Sequence, residues 1–281
     1  MIEFIKMQGT GNNYIYIDCM KKNLKKYDFS SLAKEISDTN YGIGSDGLIL
    51  ICKSEVADAQ MIMFNKDGSE GKMCGNGIRC VGRYIYDKYL KKENITIETK
   101  SGIKNLKIIL ENNYVSNVVV DMGYPTINPK DIPVNVDDKR VINKKIIIDD
   151  KKYYINCISM GNPHTVIFVK DVDKVNLEKL YKKIHKSNIF EEKCNVEVVQ
   201  ILDKTTIKMR VYERGSGETL SCGTGACASV VAGVLNNLLD FNEEISVIIK
   251  GGTLYITYRD KVYMKGPAEY ICKGKYLVKK Y

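Results

Sequence analysis

Three features of the 281-residue sequence predict an α/β protein of the α+β type, with two pseudo-symmetric domains, each a curled, mostly antiparallel sheet around a central helix. First, most segments read as short strands rich in Ile, Val and Tyr and bounded by Gly, Asn or Asp. Second, two segments, MCGNGIRC around Cys74 and SCGTGACA around Cys222, place a cysteine directly before a Gly-x-Gly turn that opens a helix. Third, their surroundings repeat. Asn65 and Glu213 stand nine residues before their cysteines and Glu70 and Glu218 four before, while Gly11-Asn12 lies 62 positions upstream of Cys74 and Gly161-Asn162 lies 60 upstream of Cys222.

In the first half, strands are expected at residues 4–7, 13–18, 48–52, 59–65, 95–102, 104–110 and 114–123, and helices at 30–37 and 76–90. A Pro-containing stretch follows, and the pattern restarts, so a boundary is expected near 121. The second half gives strands at 144–149, 153–160, 164–169, 195–202, 206–213, 245–250 and 253–260, with helices at 177–186 and 224–238. The last of these is apolar or small all round (Ala226, Ala228, Val230, Val231, Ala232, Val234), which suits a helix enclosed by sheet. The domains are then 1–120 and 121–267. A terminal strand within 268–281 is placed with the first, although the sequence itself does not decide the half.

Composition narrows the functional classes. With 44% apolar residues the chain can form two cores. The excess of 43 Lys and Arg over 34 Asp and Glu is spread in short pairs rather than clustered among stacking aromatics, so a solvated surface is favoured over nucleic-acid binding. Nine cysteines, without a secretory leader, fit a reducing, cytoplasmic compartment. With no C-x-x-C and only two histidines, structural zinc is not supported, and no apolar run reaches membrane-span length. GIGSDG, residues 42–47, matches G-x-G-x-x-G, but a strand pattern follows it where a dinucleotide-binding turn opens a helix.

A cysteine at a helix start has its thiolate stabilised by the dipole, and the glycines leave backbone N–H groups free to hold an anion. Two such thiols facing one carbon from opposite sides can take a proton from one face and return one to the other. The helix N-termini can hold a neighbouring carboxylate while charge builds there, and no cofactor is then required.

The motifs MCGNGIRC, FNKDGSEG, SMGNPH, VYERGSGETLSCGTGA and the late GPAE resemble those of the diaminopimelate epimerases over nearly the whole chain. The resemblance implies a cofactor-independent enzyme that interconverts L,L- and meso-diaminopimelate, a step toward lysine and peptidoglycan, with Cys74 and Cys222 as the acid/base pair. It further implies that Gly75-Asn76 and Gly223-Thr224 bind the reacting end of the substrate. Asn12, Asn65, Asn162, Asn195 and Arg214 match positions that hold the distant amino-carboxylate end, and His164 and Glu213 match polar residues near the cysteines. Gly47 stands where some members carry a glutamine, Asn13 where aspartate is common, and Cys272 where some members place an aromatic residue at a dimer interface, so a homodimer is an implied partner arrangement.

Each singled-out residue also has a plainer explanation. Cys19, Cys52, Cys157 and Cys272 in strand-like segments, and Cys80 and Cys227 within helices, read as small hydrophobes. Glu70 and Glu218 read as loop braces, and Arg214 alone as a surface ion pair. Rival functions are a racemase for another amino acid, such as histidine or lanthionine, a cysteine hydrolase using His164 as base, or a basic binding module.

Overall fold

The computed structural model describes residues 1–21, 27–187 and 189–279. By chain contacts it divides into two units, residues 1–120 with 265–281, and residues 121–264.

The first unit runs β1 (Ile2–Gly9), β2 (Asn12–Asp18), α1 (Phe29–Ser37), β3 (Gly47–Cys52), β4 (Ala59–Asn65), β5 (Glu70–Gly71), α2 (Gly75–Lys88), β6 (Asn94–Thr99), β7 (Gly102–Glu111) and β8 (Tyr114–Gly123). The second runs β9 (Lys144–Ile148), β10 (Lys151–Ser159), β11 (Pro163–Phe168), α3 (Leu177–Lys186), β12 (Asn195–Ile201), β13 (Thr206–Glu213), β14 (Gly217–Glu218), α4 (Gly223–Leu235), β15 (Glu244–Ile249), β16 (Gly252–Tyr258) and β17 (Val262–Gly266); β18 (Glu269–Tyr276) follows. The sequence pattern did not separate β17 or the two-residue strands β5 and β14.

One pairing scheme occurs twice. In the first unit β2 pairs parallel with β3, β3 antiparallel with β4, β4 parallel with β6 and β6 antiparallel with β7. In the second, β11 pairs parallel with β12, β12 antiparallel with β13, β13 parallel with β15 and β15 antiparallel with β16. The C-terminal strand β18 pairs antiparallel with β1, as β9 does with β10, so β18 fills in the first unit the place that β9 fills in the second.

Local signals explain the helices. Asp28 caps α1 by accepting from the backbone N–H groups of Ser30 and Ser31, and Asn176 caps α3 by accepting from Lys179 N. Helix α3 buries Leu177, Leu180, Tyr181 and Ile184 in a cluster with Ile155, Val196 and Val198. Its intervening lysines stay in water. In the first unit α1 buries Leu32, Ala33 and Ile36 against Ile15, Ile17, Leu48 and Leu50.

The two cysteine-led helices are central. Helix α4 meets β10, β11, β12, β13 and β16, and is buried from Gly225 through Gly233. It has no polar face because sheet surrounds it. Helix α2 meets β1, β2, β4, β6 and β7, burying Ile78, Val81, Tyr84 and Ile85. Its Arg79, which a helical alternation would leave in water, is also fully buried, donating to Asn76 Oδ1 at 2.8 Å, to the Pro267 carbonyl at 3.0 Å and to Thr10 Oγ1 at 3.3 Å. Among the described residues no helix is long and apolar enough to cross a membrane.

Candidate active site

Each unit presents its cysteine as the N-cap of the central helix. Cys74 has φ −127° and ψ 118°, and Cys222 has φ −127° and ψ 104°, both extended. Each sulfur accepts the backbone N–H of the third residue of its helix, Gly77 N to Cys74 Sγ and Gly225 N to Cys222 Sγ, both at 3.4 Å. A thiolate formed at either position therefore meets the positive end of a helix dipole and an aligned donor.

Around Cys74 the neighbours are amides. The thiol donates to Asn12 Oδ1 at 3.4 Å, and Asn12 Nδ2 donates to Asp46 Oδ2 at 2.8 Å. The same carboxylate oxygen accepts from Asn13 N at 2.8 Å and closes the Gly11-Asn12 turn, where Gly11 has φ 85°. Asn76 is buried, with its side-chain oxygen accepting from Arg79 Nη1 at 2.8 Å. Asn65 ends β4 and donates to Ser69 Oγ at 2.9 Å, which ties it to the β4–β5 turn.

Around Cys222 the neighbours are ionisable. Asn195 Nδ2 lies 4.0 Å from Cys222 Sγ and Thr224 Oγ1 lies 3.5 Å away. Asn195 Oδ1 in turn accepts Arg214 N at 2.9 Å, so Asn195, Arg214 and Cys222 form one cluster. The Arg214 guanidinium is half-exposed and, among the described residues, pairs with the still more exposed Glu192 at 3.4 Å and the Lys193 carbonyl at 3.1 Å. Such a pair is weak and gives way readily to a carboxylate ligand. Glu213 accepts from Thr219 Oγ1 at 2.5 Å. Burial pushes its carboxyl above the usual range. Cys222 is pushed well above an ordinary thiol, first by burial and then by the carboxylates of Glu213 and Glu197. It rests as the thiol.

His164 is fully buried on β11, with Nδ1 2.7 Å from Glu197 Oε1 and Nε2 3.1 Å from Asn162 Oδ1. Both ring nitrogens are thus engaged, which leaves neither as base for a thiol, as a cysteine hydrolase would need. His164, Glu197 and Cys222 bring one ligating atom each within 4.8 Å of one another, but an imidazole nitrogen would have to leave Glu197 or Asn162 to bind an ion.

The chain therefore gathers Asn162, His164, Asn195, Glu213, Arg214 and Thr224 around Cys222, and Asn12 beside Cys74. Asp46 and Glu197, which sequence reasoning missed, stand behind them. The absent glutamine at Gly47 has a steric cause: a Cβ there would lie 2.2 Å from the Phe64 carbonyl oxygen and 2.9 Å from the Tyr14 ring. Glu70 and Glu218 brace loops, through Lys100 at 3.1 Å and through Arg210 at 2.8 Å.

Comparison with known proteins follows the same lines. The diaminopimelate epimerase family model matches residues 4–128 and 156–271. Diaminopimelate epimerases from Acetivibrio thermocellus and Bacillus cytotoxicus are each 46% identical, over 98% of both chains for the first and over 97% of this chain and 96% of the relative for the second; that of Methanococcus maripaludis is 45% identical over 98% of this chain and 99% of the relative. Among solved structures, a phenazine biosynthesis protein of the PhzF family from Bacillus anthracis superposes with a TM-score of 0.70 at 19% identity over 99% of both chains. A hydroxyproline epimerase from Agrobacterium vitis does so with 0.66 at 11% identity over 97% of this chain and 90% of that one, and both likenesses concern the fold. The paired cysteine turns and the match along nearly the full length agree, and the chain belongs to the diaminopimelate epimerase family.

Proposed function

We propose that this enzyme interconverts L,L- and meso-diaminopimelate by a two-thiol mechanism. The observation that carries the reading is the twin N-cap cysteine, each sulfur accepting a helix-terminal N–H at 3.4 Å. One cysteine, as thiolate, removes the α-proton. The electron pair left on carbon delocalises into the adjacent carboxylate, which the helix-terminal N–H groups of Gly75-Asn76 and Gly223-Thr224 stabilise. The opposing thiol delivers its proton to the other face and becomes the thiolate. Atoms and charge balance, and the two sulfurs have exchanged roles.

Asn12, Asn65, Asn162, Asn195 and Arg214 hold the distant amino-carboxylate end in this reading, the arginine through paired hydrogen bonds to the carboxylate and Glu213 as acceptor from the ammonium. His164 and Glu213 support the proton transfers. No nucleic-acid partner and no membrane are involved, and the enzyme works in a reducing, cytoplasmic compartment. Exposed Tyr270 and Ile271 on β18 motivate assembly as a homodimer, which sedimentation of the purified protein checks.

A panel of enantiopure amino acids tests the substrate: L,L-diaminopimelate, lanthionine, histidine and simple monocarboxylates, scored by loss of optical purity. L,L-diaminopimelate should turn over fastest. Faster turnover of a monocarboxylate would overturn the reading, because it leaves the second polar head group without a purpose.

A further inference from the structure

The second unit buries a His164–Glu197 pair that has no counterpart among the described residues of the first. The parallel pairing of β2 with β3 brings Ile15 beside Leu48, and that of β11 with β12 brings Thr165 beside Val196. One position before these residues on the first strand stands Tyr14 in one unit and His164 in the other. One position after them on the second strand stands Ile49 or Glu197. The equivalence also holds at the helix turns: a Cβ on Gly77 would lie 2.6 Å from Ile49 Cδ1, and one on Gly225 would lie 2.7 Å from Glu197 Oε1. The first unit thus fills with Tyr14 and Ile49 the place where the second buries His164 and Glu197, both at 0% exposure. Glu197 Oε2 is buried with no hydrogen-bond partner among the described residues. A carboxylate so placed is a poor source of stability compared with an isoleucine, which points to a use elsewhere.

We propose that Glu197 is a positioning residue for the epimerisation. It holds Nδ1 of His164 and thereby sets the ring's Nε2 against Asn162 Oδ1, which leaves the Asn162 amide nitrogen as a fixed donor for substrate. The first unit reaches a related end without a histidine: Asp46 accepts Asn12 Nδ2 at 2.8 Å, which leaves Asn12 Oδ1 for the Cys74 thiol. Each Gly-Asn asparagine is oriented by a carboxylate, directly in one unit and through an imidazole in the other, and the two present opposite ends of the amide. The substrate part of the proposal rests on the epimerase reading; the ring geometry does not.

Glutamine can meet the imidazole with either its oxygen or its amide nitrogen, so without the carboxylate the ring and, through it, the Asn162 amide lose their single orientation. The other titratable groups near the pair are Cys222 at the start of α4, Glu213 on β13 and Cys194 before β12. The chain has two histidines, which makes a spectroscopic test direct. His185 donates from Nδ1 to the Tyr181 carbonyl at 2.9 Å and accepts Cys194 N at Nε2 at 3.0 Å, so it serves as an internal reference with one bare nitrogen.

The experiment is imidazole 15N NMR of the full-length enzyme at neutral pH, together with kinetics of Glu197→Gln. In the wild type the Nδ1 proton of His164 should appear far downfield, as a hydrogen bond to a carboxylate requires, and that signature should be lost in the variant. The kcat/KM of the variant for L,L-diaminopimelate should fall about 10- to 100-fold, the loss of a charge-assisted hydrogen bond. A wild-type His164 with no proton on Nδ1, or a variant with undiminished kcat/KM, would overturn the proposal. The wild-type spectrum needs no variant to fold. If the wild type shows the Nδ1 proton held on the carboxylate yet fails to turn over diaminopimelate, the positioning geometry stands and the epimerase reading falls.

Discussion

The two cysteine turns share backbone and differ in company. Cys74 is half-buried and its thiol points to an amide oxygen, whereas Cys222 is 4% exposed among Glu213, Glu197 and His164. One duplicated scaffold thus carries a wetter thiol held by amides and a drier thiol held among ionisable groups. The difference teaches that the helix N-terminus is the shared device, and that the side chains around it are what distinguish the two sulfurs, with burial and two carboxylates raising Cys222.

The largest effect tests whether both turns are needed. Cys74→Ala and Cys222→Ala should each lower the epimerisation rate by at least about 10³-fold, since an acid/base group worth 10²–10⁴ is lost on one face and its partner cannot serve the other. A chiral assay of purified variants measures this. If one alanine variant retained a tenth of the activity, its turn would be structural.

Glu213 belongs to the second turn only, and its replacement sharpens the contrast. Glu213→Gln should lower kcat about 10- to 100-fold. Its folded carboxyl lies above the ordinary value of 4.5 because of burial, so the native state binds its proton more tightly than the unfolded chain does. The stability this contributes is fully present below pH 4.5 and is lost as pH rises through the raised value. The glutamine variant should therefore melt higher than the wild type at pH 8 and lose that advantage toward pH 4. A variant that melts lower at pH 8 would show that the carboxylate is well accommodated there.

The smallest effects come from the matched glycines. Gly77→Ala presses on the movable Cδ1 of Ile49, and the gain in helix propensity, about 1 kcal/mol, roughly offsets the crowding. Gly225→Ala presses on a carboxylate fixed by His164 and should cost about 1–3 kcal/mol more than Gly77→Ala. Thermal melts of the two variants give the comparison, and equal costs would mean that the His164–Glu197 pair shifts freely.

Much of this was legible in the sequence because repetition is visible without a structure. The shared spacing around Cys74 and Cys222 exposed the duplicated site, and the all-round apolar surface of residues 226–234 announced a helix ringed by strands. Helix α3 was legible from its apolar spacing, and α1 to within one residue. The central helices ended at Lys88 and Leu235 rather than at 90 and 238, where the chain leaves the sheet's cover. Three residues escaped notice. Glu197 lies among valines in a strand buried on both faces, so alternation assigns it to solvent, although it is fully enclosed. Arg79 sits among polar positions of α2 and reads as surface, yet it locks Asn76 from below. Asp46 belongs to a loop whose glycine pattern mimics a nucleotide-binding turn, and only the fold brings it to Asn12, 34 positions away. In each case the missing information is a tertiary partner, which periodicity cannot supply.

The central claim is that one thiol removes the α-proton and the other replaces it from the opposite face. The direct measurement is the early time course of L,L-diaminopimelate turnover in deuterium oxide, with label followed separately in meso product and in remaining L,L substrate. Two thiols predict one deuterium at the inverted centre of every product molecule while the unreacted substrate stays unlabelled at first. Label entering the L,L pool as fast as product forms would mean a single group working on one face, and the account would be contradicted.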